Sequence, residues 1–211
     1  MSTTTRPSCL FFIVNNSLVD ADADAGSKVP QRKQNHPSNR IERSSMSTVP
    51  QSILQANEKY AASFAKPTVP RKNFLVVTCL DPRIQPYEQM GLQFGECGVL
   101  RNAGGTAPNA LPNIIVAQNF GLRDIAIVHH TDCGLTHITH QLIRDAVQEA
   151  NGAEAAKTVD QFDFHEFKDV PGSVKRDVEY LARQPAIRKG TQITGWVYDV
   201  ETGNVEDVVV S

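Results

Sequence analysis

The amino-acid sequence predicts an α/β fold with a mostly parallel central β-sheet flanked by helices. Short runs of β-branched and other apolar residues alternate along the chain with longer segments of helical periodicity. Short turns rich in glycine and proline join these segments, and such alternation is typical of a parallel sheet covered by helices. With 211 residues and 40% hydrophobic residues, the chain is long enough for one domain with a sizeable core and a tail.

The first 45 residues differ in composition from the rest. Three aspartates alternate with alanine at 20–24, and residues 28–45 are rich in Lys, Arg, Gln, Asn, Ser and Pro. No period in this segment would bury one face, so we interpret residues 1–45 as a disordered N-terminal tail and 46–211 as the folded domain. The acidic residues disfavour a mitochondrial transit peptide, and we expect a cytoplasmic protein.

The first ordered element is predicted to be a helix that begins at Pro50, because proline suits a first helical turn. Ile53, Leu54, Ala61 and Phe64 then recur roughly at helical spacing, and two prolines soon after Phe64 end the helix. Residues 74–78 follow as a short, β-branched run bounded by turn signals, which is typical of a buried strand.

The remaining elements follow the same logic. A second strand at 98–101 is closed by the turn 102–105, and Pro112 is the expected start of a helix that Gly121 ends. Asn151 and Gly152 are expected to cap a helix that starts after the third strand. The later strands are predicted at 124–129, 193–200 and 205–210, and the later helices at 135–150 and 173–183.

Two motifs follow two of the predicted strands directly. Cys79, Asp81 and Arg83 come after the strand 74–78, and His130 and Cys133 come after the strand 124–129. Both motifs should emerge at the same edge of a parallel sheet, where ligands bind in such folds. Alternation in an extended chain would let the side chains of the first motif point together.

Cys79, His130 and Cys133 form a ligand set of two thiolates and one imidazole, which suits zinc and leaves one tetrahedral position open. Zinc with an open position lowers the pKa of bound water to about 7 and so makes a nucleophile at neutral pH. Asp81 is expected to orient that nucleophile or to occupy the fourth position itself. Arg83 should hold Asp81 as a carboxylate through a bidentate pair.

Each motif alone has an ordinary explanation. A lone cysteine is more often a buried core residue, and an Asp–Arg pair is more often a surface ion pair. The joint occurrence at two strand ends favours zinc. We expect His137 and His140 to be partly exposed residues on one helix face, His129 to be structural, and Asp132 to bind a backbone amide of its turn.

The two motifs, together with residues 99–105, resemble the short form of the β-class carbonic anhydrases. The family pattern Cys-x-Asp-x-Arg stands here at 79–83, and the pattern His-x-x-Cys-Gly stands at 130–134. The resemblance extends from about residue 74 to the C-terminus. One departure is Pro82, where family members commonly carry a small residue other than proline.

The resemblance implies one zinc ion per subunit, held by Cys79, His130 and Cys133, with Asp81 and Arg83 as a catalytic dyad. It implies the reversible hydration of CO₂ to bicarbonate by a homodimer or homotetramer. A carbonyl sulfide or carbon disulfide hydrolase on the same scaffold is the alternative enzyme, since the ligand motif does not separate these substrates. A zinc-stabilised regulatory or scaffold module is the alternative that is not an enzyme.

Composition weighs against two other classes of partner. The formal net charge is −2, and no Lys/Arg cluster is dense enough for a nucleic-acid footprint. No apolar run approaches the ~18–20 residues that span a bilayer, so we expect no membrane partner. With four cysteines in 211 residues, a disulfide framework is not expected.

Overall fold

The computed structural model describes residues 49–66, 68 and 72–210. The chain divides into two compact units, one ending at Lys66 and the other beginning at Pro67. The tail predicted at residues 1–45 lies outside the described residues and stays a prediction. Within the described part of the chain, no helix combines the length and the apolar character needed to cross a membrane.

Helix α1 is the described element of the first unit and spans Val49–Ala62. It matches the predicted helix to within one residue at its start. None of its residues is buried, and its large apolar side chains, including Ile53 at 63% exposure, face outward within this unit. At the end of the helix, the ring of Tyr60 contacts the ring of Phe64, with centroids 5.6 Å apart.

The second unit is built on a five-stranded sheet with the strand order β2-β1-β3-β4-β5. Strands β1 to β4 are parallel, and β5 pairs with β4 in the antiparallel direction. This topology confirms the predicted fold class. The strands are β1 (Phe74–Cys79), β2 (Gly98–Asn102), β3 (Asp124–His130), β4 (Ile193–Tyr198) and β5 (Val205–Val210). The helices of this unit are α2 (Pro86–Gln89), α3 (Ala107–Asn119), α4 (His140–Asn151), α5 (Ala153–Val159) and α6 (Val170–Ala182).

One face of the sheet packs against α3 and α6 and forms the main core. Alternate strand residues such as Leu75, Val77 and Ile127 point into it and meet Ile114 of α3 and Leu181 of α6. Side chains at positions i and i+2 of a strand share a face, so each strand contributes every second residue. Burying an aliphatic side chain of this size contributes roughly 1.5–3 kcal/mol, so this face supplies much of the stability.

The opposite face of the sheet remains partly open. Val76, Val128 and Trp196 lie on it, and side chains of segment 84–92 pack against them. A cavity of about 560 Å³ lies here, lined mostly by apolar side chains. Parallel sheets normally have both faces covered, so this open face is unusual for the architecture.

Helix α3 begins earlier than the sequence predicted. It starts at Ala107, and Pro112, the predicted first residue, lies inside the helix. A proline there removes one backbone hydrogen bond. The helix tolerates that loss because Ala107, Ala110, Ile114 and Gln118, spaced three or four residues apart, are buried along one side. The burial of this side of the helix therefore determines where α3 begins, and the preference of Pro112 for a first helical turn does not.

The region after β3 also differs from the prediction of one helix over 135–150. A short 3₁₀ turn covers Gly134–Thr136, and α4 begins only at His140, where the Thr139 hydroxyl accepts the backbone N–H of Leu142 at 3.3 Å. Threonine is a favoured N-cap, and it fixes this later start. The polar stretch that follows contains α5, which was not predicted. Helix α6 begins at Val170, three residues before its predicted start.

A buried polar network joins α6 to β3. His129 is fully buried, and its Nδ1 lies 2.7 Å from Ser173 Oγ. Its Nε2 lies 3.3 Å from both Asp177 Oδ2 and the Gly105 carbonyl oxygen. The ring stacks on Phe167 with centroids 5.3 Å apart. The prediction that His129 is a hydrogen-bonded structural histidine agrees with these contacts.

The turn after β2 passes very close to the end of β1. A Cβ on Gly105 would lie 2.9 Å from the carbonyl carbon of Thr78 and 3.0 Å from the backbone nitrogen of Cys79. Gly105 also has φ +73°, a conformation that favours glycine. Only glycine therefore lets this turn lie against the first motif.

We expect Gly105→Ala to destabilise the protein far more than Gly203→Ala. Both glycines have similar positive φ values, +73° and +76°, but an added Cβ at Gly203 would meet no described atom within 4 Å. The control should therefore lose only the backbone term of about 1 kcal/mol. Gly105→Ala should lose roughly 1–3 kcal/mol more through overpacking. Urea unfolding of the two variants at equal zinc loading measures this difference, and equal losses would contradict the close approach.

Candidate metal centre

The two sequence motifs lie side by side at one edge of the sheet. Strand β1 pairs with β3 in parallel register, with Thr78 opposite Val128. The strands end at Cys79 and His130, so both chains leave the sheet at the same edge. The predicted common edge is confirmed.

Cys79, His130 and Cys133 converge in a buried cluster. One side-chain ligand atom from each residue lies within 4.8 Å of the other two, and the sulfurs of Cys79 and Cys133 are 4.0 Å apart. His130 Nδ1 lies 2.8 Å from the Thr131 carbonyl oxygen, which fixes the ring orientation. His130 Nε2 is buried, and no hydrogen-bond partner for it lies among the residues that the structure describes.

This donor set fits a zinc ion. Tetrahedral zinc with bonds of about 2.3 Å to sulfur places two thiolates roughly 3.8 Å apart, close to the separation found here. A buried nitrogen without a partner is costly, and a metal bond would satisfy His130 Nε2. The Nδ1 hydrogen bond to a backbone carbonyl is the outer contact that metal-ligating histidines usually make.

The pKa values of the two thiols are shifted in opposite directions. The hydrogen bond from Cys133 lowers the pKa of the Cys79 thiol, although burial opposes this. The Cys79 thiolate and burial together raise the pKa of Cys133. Backbone N–H groups support the sulfurs, from Asp81 to Cys79 and from Leu135 to Cys133. A divalent cation would relieve the repulsion between two thiolates, so the cluster favours cation binding over a second proton.

Asp81 and Arg83 form the expected bidentate pair, but not through an extended chain. Arg83 Nε donates to Asp81 Oδ1 at 3.0 Å, and Nη2 donates to Oδ2 at 2.8 Å. The backbone N–H of Arg83 also donates to Asp81 Oδ1 at 2.9 Å, and the Ile84 N–H donates to the Asp81 carbonyl at 3.0 Å. The expectation of extended alternation over 79–83 was therefore wrong, because a turn closed by the aspartate side chain brings the two groups together.

The Arg83 guanidinium holds the pKa of Asp81 below its usual value, although partial burial opposes this effect. The carboxyl group therefore stays ionised throughout the neutral range and accepts hydrogen bonds without donating any. Its side chain is 15% exposed, so little solvent screens the pair on that side.

Asp132 and His137 do not lie where the sequence suggested. The Asp132 carboxylate accepts a hydrogen bond from Arg83 Nη1 at 2.9 Å and not from an amide of its turn. His137 precedes α4, so it does not share a helix face with His140. The Nε2 atom of His140 lies 3.2 Å from the Val159 carbonyl, outside the metal cluster.

Arg101 is a residue of the site that the sequence reasoning missed. Its Nε donates to the Cys79 carbonyl at 2.9 Å and its Nη2 to the Asp81 carbonyl at 2.6 Å. These hydrogen bonds hold the backbone of the first motif against β2. The sequence did contain a signal for this role, because Arg101 lies one residue before the end of a strand that neighbours β1 in the parallel sheet.

Comparison with known proteins agrees with this geometry. The sequence model of the family described as carbonic anhydrase matches residues 74–205. Beta-carbonic anhydrase 1 of Mycobacterium tuberculosis is 30% identical over 165 residues, which cover 76% of this chain and 98% of the relative. A carbon disulfide hydrolase of Acidianus is 29% identical over 172 residues, covering 72% of this chain and 84% of that protein.

A solved structure shows the same likeness. A solved carbonic anhydrase from Glaciozyma antarctica is 36% identical and superposes with a TM-score of 0.72 over 78% of this chain and 100% of that one. The sequence, the fold and the Cys-His-Cys cluster thus all indicate the same protein family. This chain belongs to the β-carbonic anhydrase family, whose members are zinc enzymes.

Proposed function

We propose that this protein catalyses the reversible hydration of CO₂ to bicarbonate with release of a proton. The observation that carries the proposal is the buried cluster of two sulfurs and one unpartnered imidazole nitrogen beside the Asp81–Arg83 pair. Membership of the β-carbonic anhydrase family supports the same reaction. The substrate is a small neutral molecule, and neither a nucleic acid nor a membrane is required as a partner.

In this proposal, Cys79, His130 and Cys133 hold one zinc ion per subunit. Zinc bound there would supply a hydroxide nucleophile at neutral pH. The protein contributes first through charge. Two thiolates and a neutral imidazole would balance the charge of a bound zinc ion, so the site as a whole would carry no net charge. The Nδ1 hydrogen bond of His130 keeps its Nε2 free to act as the ligand.

Asp81 and Arg83 are proposed to orient the reacting solvent molecule. Since Arg83 keeps Asp81 ionised, the carboxylate accepts a hydrogen bond and turns a lone pair of that molecule toward the substrate carbon. The three hydrogen bonds from Arg83 hold the carboxylate in one orientation. Swinging Asp81 onto the metal would forfeit these bonds, so we propose that it stays off the metal in the active state.

The two alternatives have less support. A carbon disulfide hydrolase is similar over 72% of this chain, so a sulfur-containing analogue of CO₂ remains the second candidate substrate. A purely structural zinc site normally has four protein ligands. Among the described residues, the cluster that could bind a metal contains three, and Asp81, the nearby carboxylate, is engaged by Arg83. This ligand count favours a catalytic site.

We also propose that the protein is a homodimer, or a homotetramer built from such dimers. The open sheet face supports this, because its apolar cavity of about 560 Å³ lies on a side that parallel sheets normally bury. A second copy of the chain is the proposed cover. The exposed apolar residues of α1, Val49, Ile53 and Leu54 among them, are a second surface that such an assembly would bury.

A cytoplasmic location is proposed on the basis of cysteine chemistry. Cys79, Cys97 and Cys133 are all free thiols, and two of them belong to the cluster. A reducing compartment protects such thiols.

The purified, zinc-loaded protein is expected to hydrate CO₂ at a rate well above its hydrolysis of carbonyl sulfide or carbon disulfide. Stopped-flow detection of proton release measures the first reaction, and sulfide release measures the others. Bovine serum albumin carrying equal zinc serves as the blank. Hydrolysis of a sulfur substrate with no CO₂ hydration above the blank would replace the proposed substrate.

Cys79→Ser and His130→Ala should each lose stoichiometric zinc together with activity, because each removes one of three ligands. Asp81→Ala is the matched control, since it alters the same site without removing a ligand. It should retain zinc and lose turnover by about a hundredfold or more. Elemental analysis after dialysis gives the zinc content. Stoichiometric zinc in His130→Ala, or full turnover in Asp81→Ala, would contradict the assigned roles.

Light scattering at micromolar concentration should give two or four times the chain mass of 23.2 kDa. Ala126→Glu places a charge in the open sheet cavity and should shift the protein toward monomer. Leu142→Glu, at a 55% exposed position of α4, is the control and should leave the mass unchanged. The emission of Trp196, the single tryptophan, should shift to longer wavelength as the cavity is uncovered. A monomeric wild type, or a mass unaffected by Ala126→Glu, would contradict this interface.

A further inference from the structure

Asp132 lies between two of the proposed metal ligands and has an unusual backbone conformation. Its φ is +52°, and His165 is the other non-glycine residue with positive φ in the described part of the chain. Aspartate tolerates this region better than most residues, yet the conformation still costs on the order of 1 kcal/mol. Contacts made by this residue must offset that cost.

Those contacts converge on Arg83. The Asp132 carboxylate accepts from Arg83 Nη1 at 2.9 Å, and the Asp132 backbone carbonyl accepts from Arg83 Nη2 at 3.0 Å. The second carboxylate oxygen lies 3.3 Å from His137 Nε2. The left-handed backbone thus lets one residue present both its side chain and its carbonyl to the same guanidinium.

Arg83 needs this support because it lies near the surface. Its side chain is 39% exposed, and an arginine free to move carries about 2 kcal/mol of rotamer entropy. Among the described residues, every hydrogen bond to the Asp81 carboxylate comes from Arg83. The orientation of Asp81 therefore depends on Arg83, and the position of Arg83 depends on Asp132.

We propose that Asp132 is a positioning residue that clamps Arg83 and thereby fixes the orientation of Asp81 beside the metal cluster. This inference rests on the role proposed above for Asp81. The clamp also joins the two motifs, because Asp132 belongs to the β3 loop and Arg83 to the β1 loop. The arrangement of the dyad is therefore tied to the loop that carries His130 and Cys133.

A simpler role for Asp132 makes a different prediction. If the residue only shapes its turn, replacing it should weaken zinc retention or folding whether or not Arg83 is present. If it acts through Arg83, its effect on turnover should vanish once Arg83 is gone. A double-mutant cycle separates these cases.

The cycle combines Asp132→Asn with Arg83→Ala. Asparagine also tolerates positive φ, so the turn should persist while the charged hydrogen bond is lost. We expect Asp132→Asn to lower kcat for CO₂ hydration about tenfold or more, with KM within about twofold and zinc content unchanged. In the Arg83→Ala background, the same change should alter kcat by less than about twofold. Asp160→Asn, which breaks the Arg144–Asp160 pair of 3.0 Å, is the control and should leave kcat unchanged.

A second readout does not depend on catalysis. The Arg83 Nε–H signal in a ¹⁵N-correlated NMR spectrum, assigned by its loss in Arg83→Lys, should exchange slowly with solvent in the wild type. Asp132→Asn should accelerate that exchange at least about tenfold, while Asp160→Asn should not change it.

The two readouts also separate the two proposals. Accelerated exchange in a protein that does not hydrate CO₂ would refute the proposed reaction and leave the clamp standing. Unchanged exchange, zinc loss in Asp132→Asn, or an equal loss of kcat in both backgrounds would overturn the clamp.

Discussion

The parallel pairing of β1 with β3 is the constraint on which the metal centre depends. Cys79 and Cys133 are 54 positions apart in sequence, yet this pairing brings their sulfurs to 4.0 Å. The side-chain period of a strand is two residues, so a slip by one position would turn Cys79 toward the other face of the sheet. The same slip would expose Leu75 and Val77, which the helices bury. Correct burial of the core and correct assembly of the cluster therefore depend on one register.

Burying Cys79, His130 and Cys133 together costs free energy, which a bound cation would offset. Cys133 and His130 are 1% and 0% exposed, and within residues 49–66, 68 and 72–210 His130 Nε2 has no hydrogen-bond partner. Polar atoms in such surroundings weaken folding unless they are satisfied. A bound metal would replace thiol protons and satisfy the imidazole together, so part of its binding free energy would become stability of the fold. The glycine turn at Gly105 and the braces from Arg101 keep the backbone around Cys79 in place for that event.

Sequence reasoning recovered the parts of the fold that depend on local chemistry. β-branched runs located the strands, and the parallel arrangement then placed Cys79 and His130 at one edge. Boundaries set by long-range packing were not recoverable, as Pro112 inside α3 illustrates. Asp132 was assigned a local contact because its partner, Arg83, lies 49 positions away and becomes a neighbour only after the strands pair. The two motifs thus indicated which residues form the site. Which of these residues contact each other could not be predicted, because it depends on how the strands pair in the folded protein.

The polar network at His129 restricts how α6 can lie on the sheet. Apolar helix–sheet contacts alone would tolerate small shifts, because one aliphatic side chain substitutes readily for another. Sliding α6 by one turn would separate Ser173 and Asp177 from the imidazole and leave the buried His129 Nδ1 without its hydroxyl partner. The hydrogen bonds to His129 therefore fix the position of α6 along the sheet. The docking position of α6 is thus set by hydrogen bonds as well as by the shape of the aliphatic residues around them.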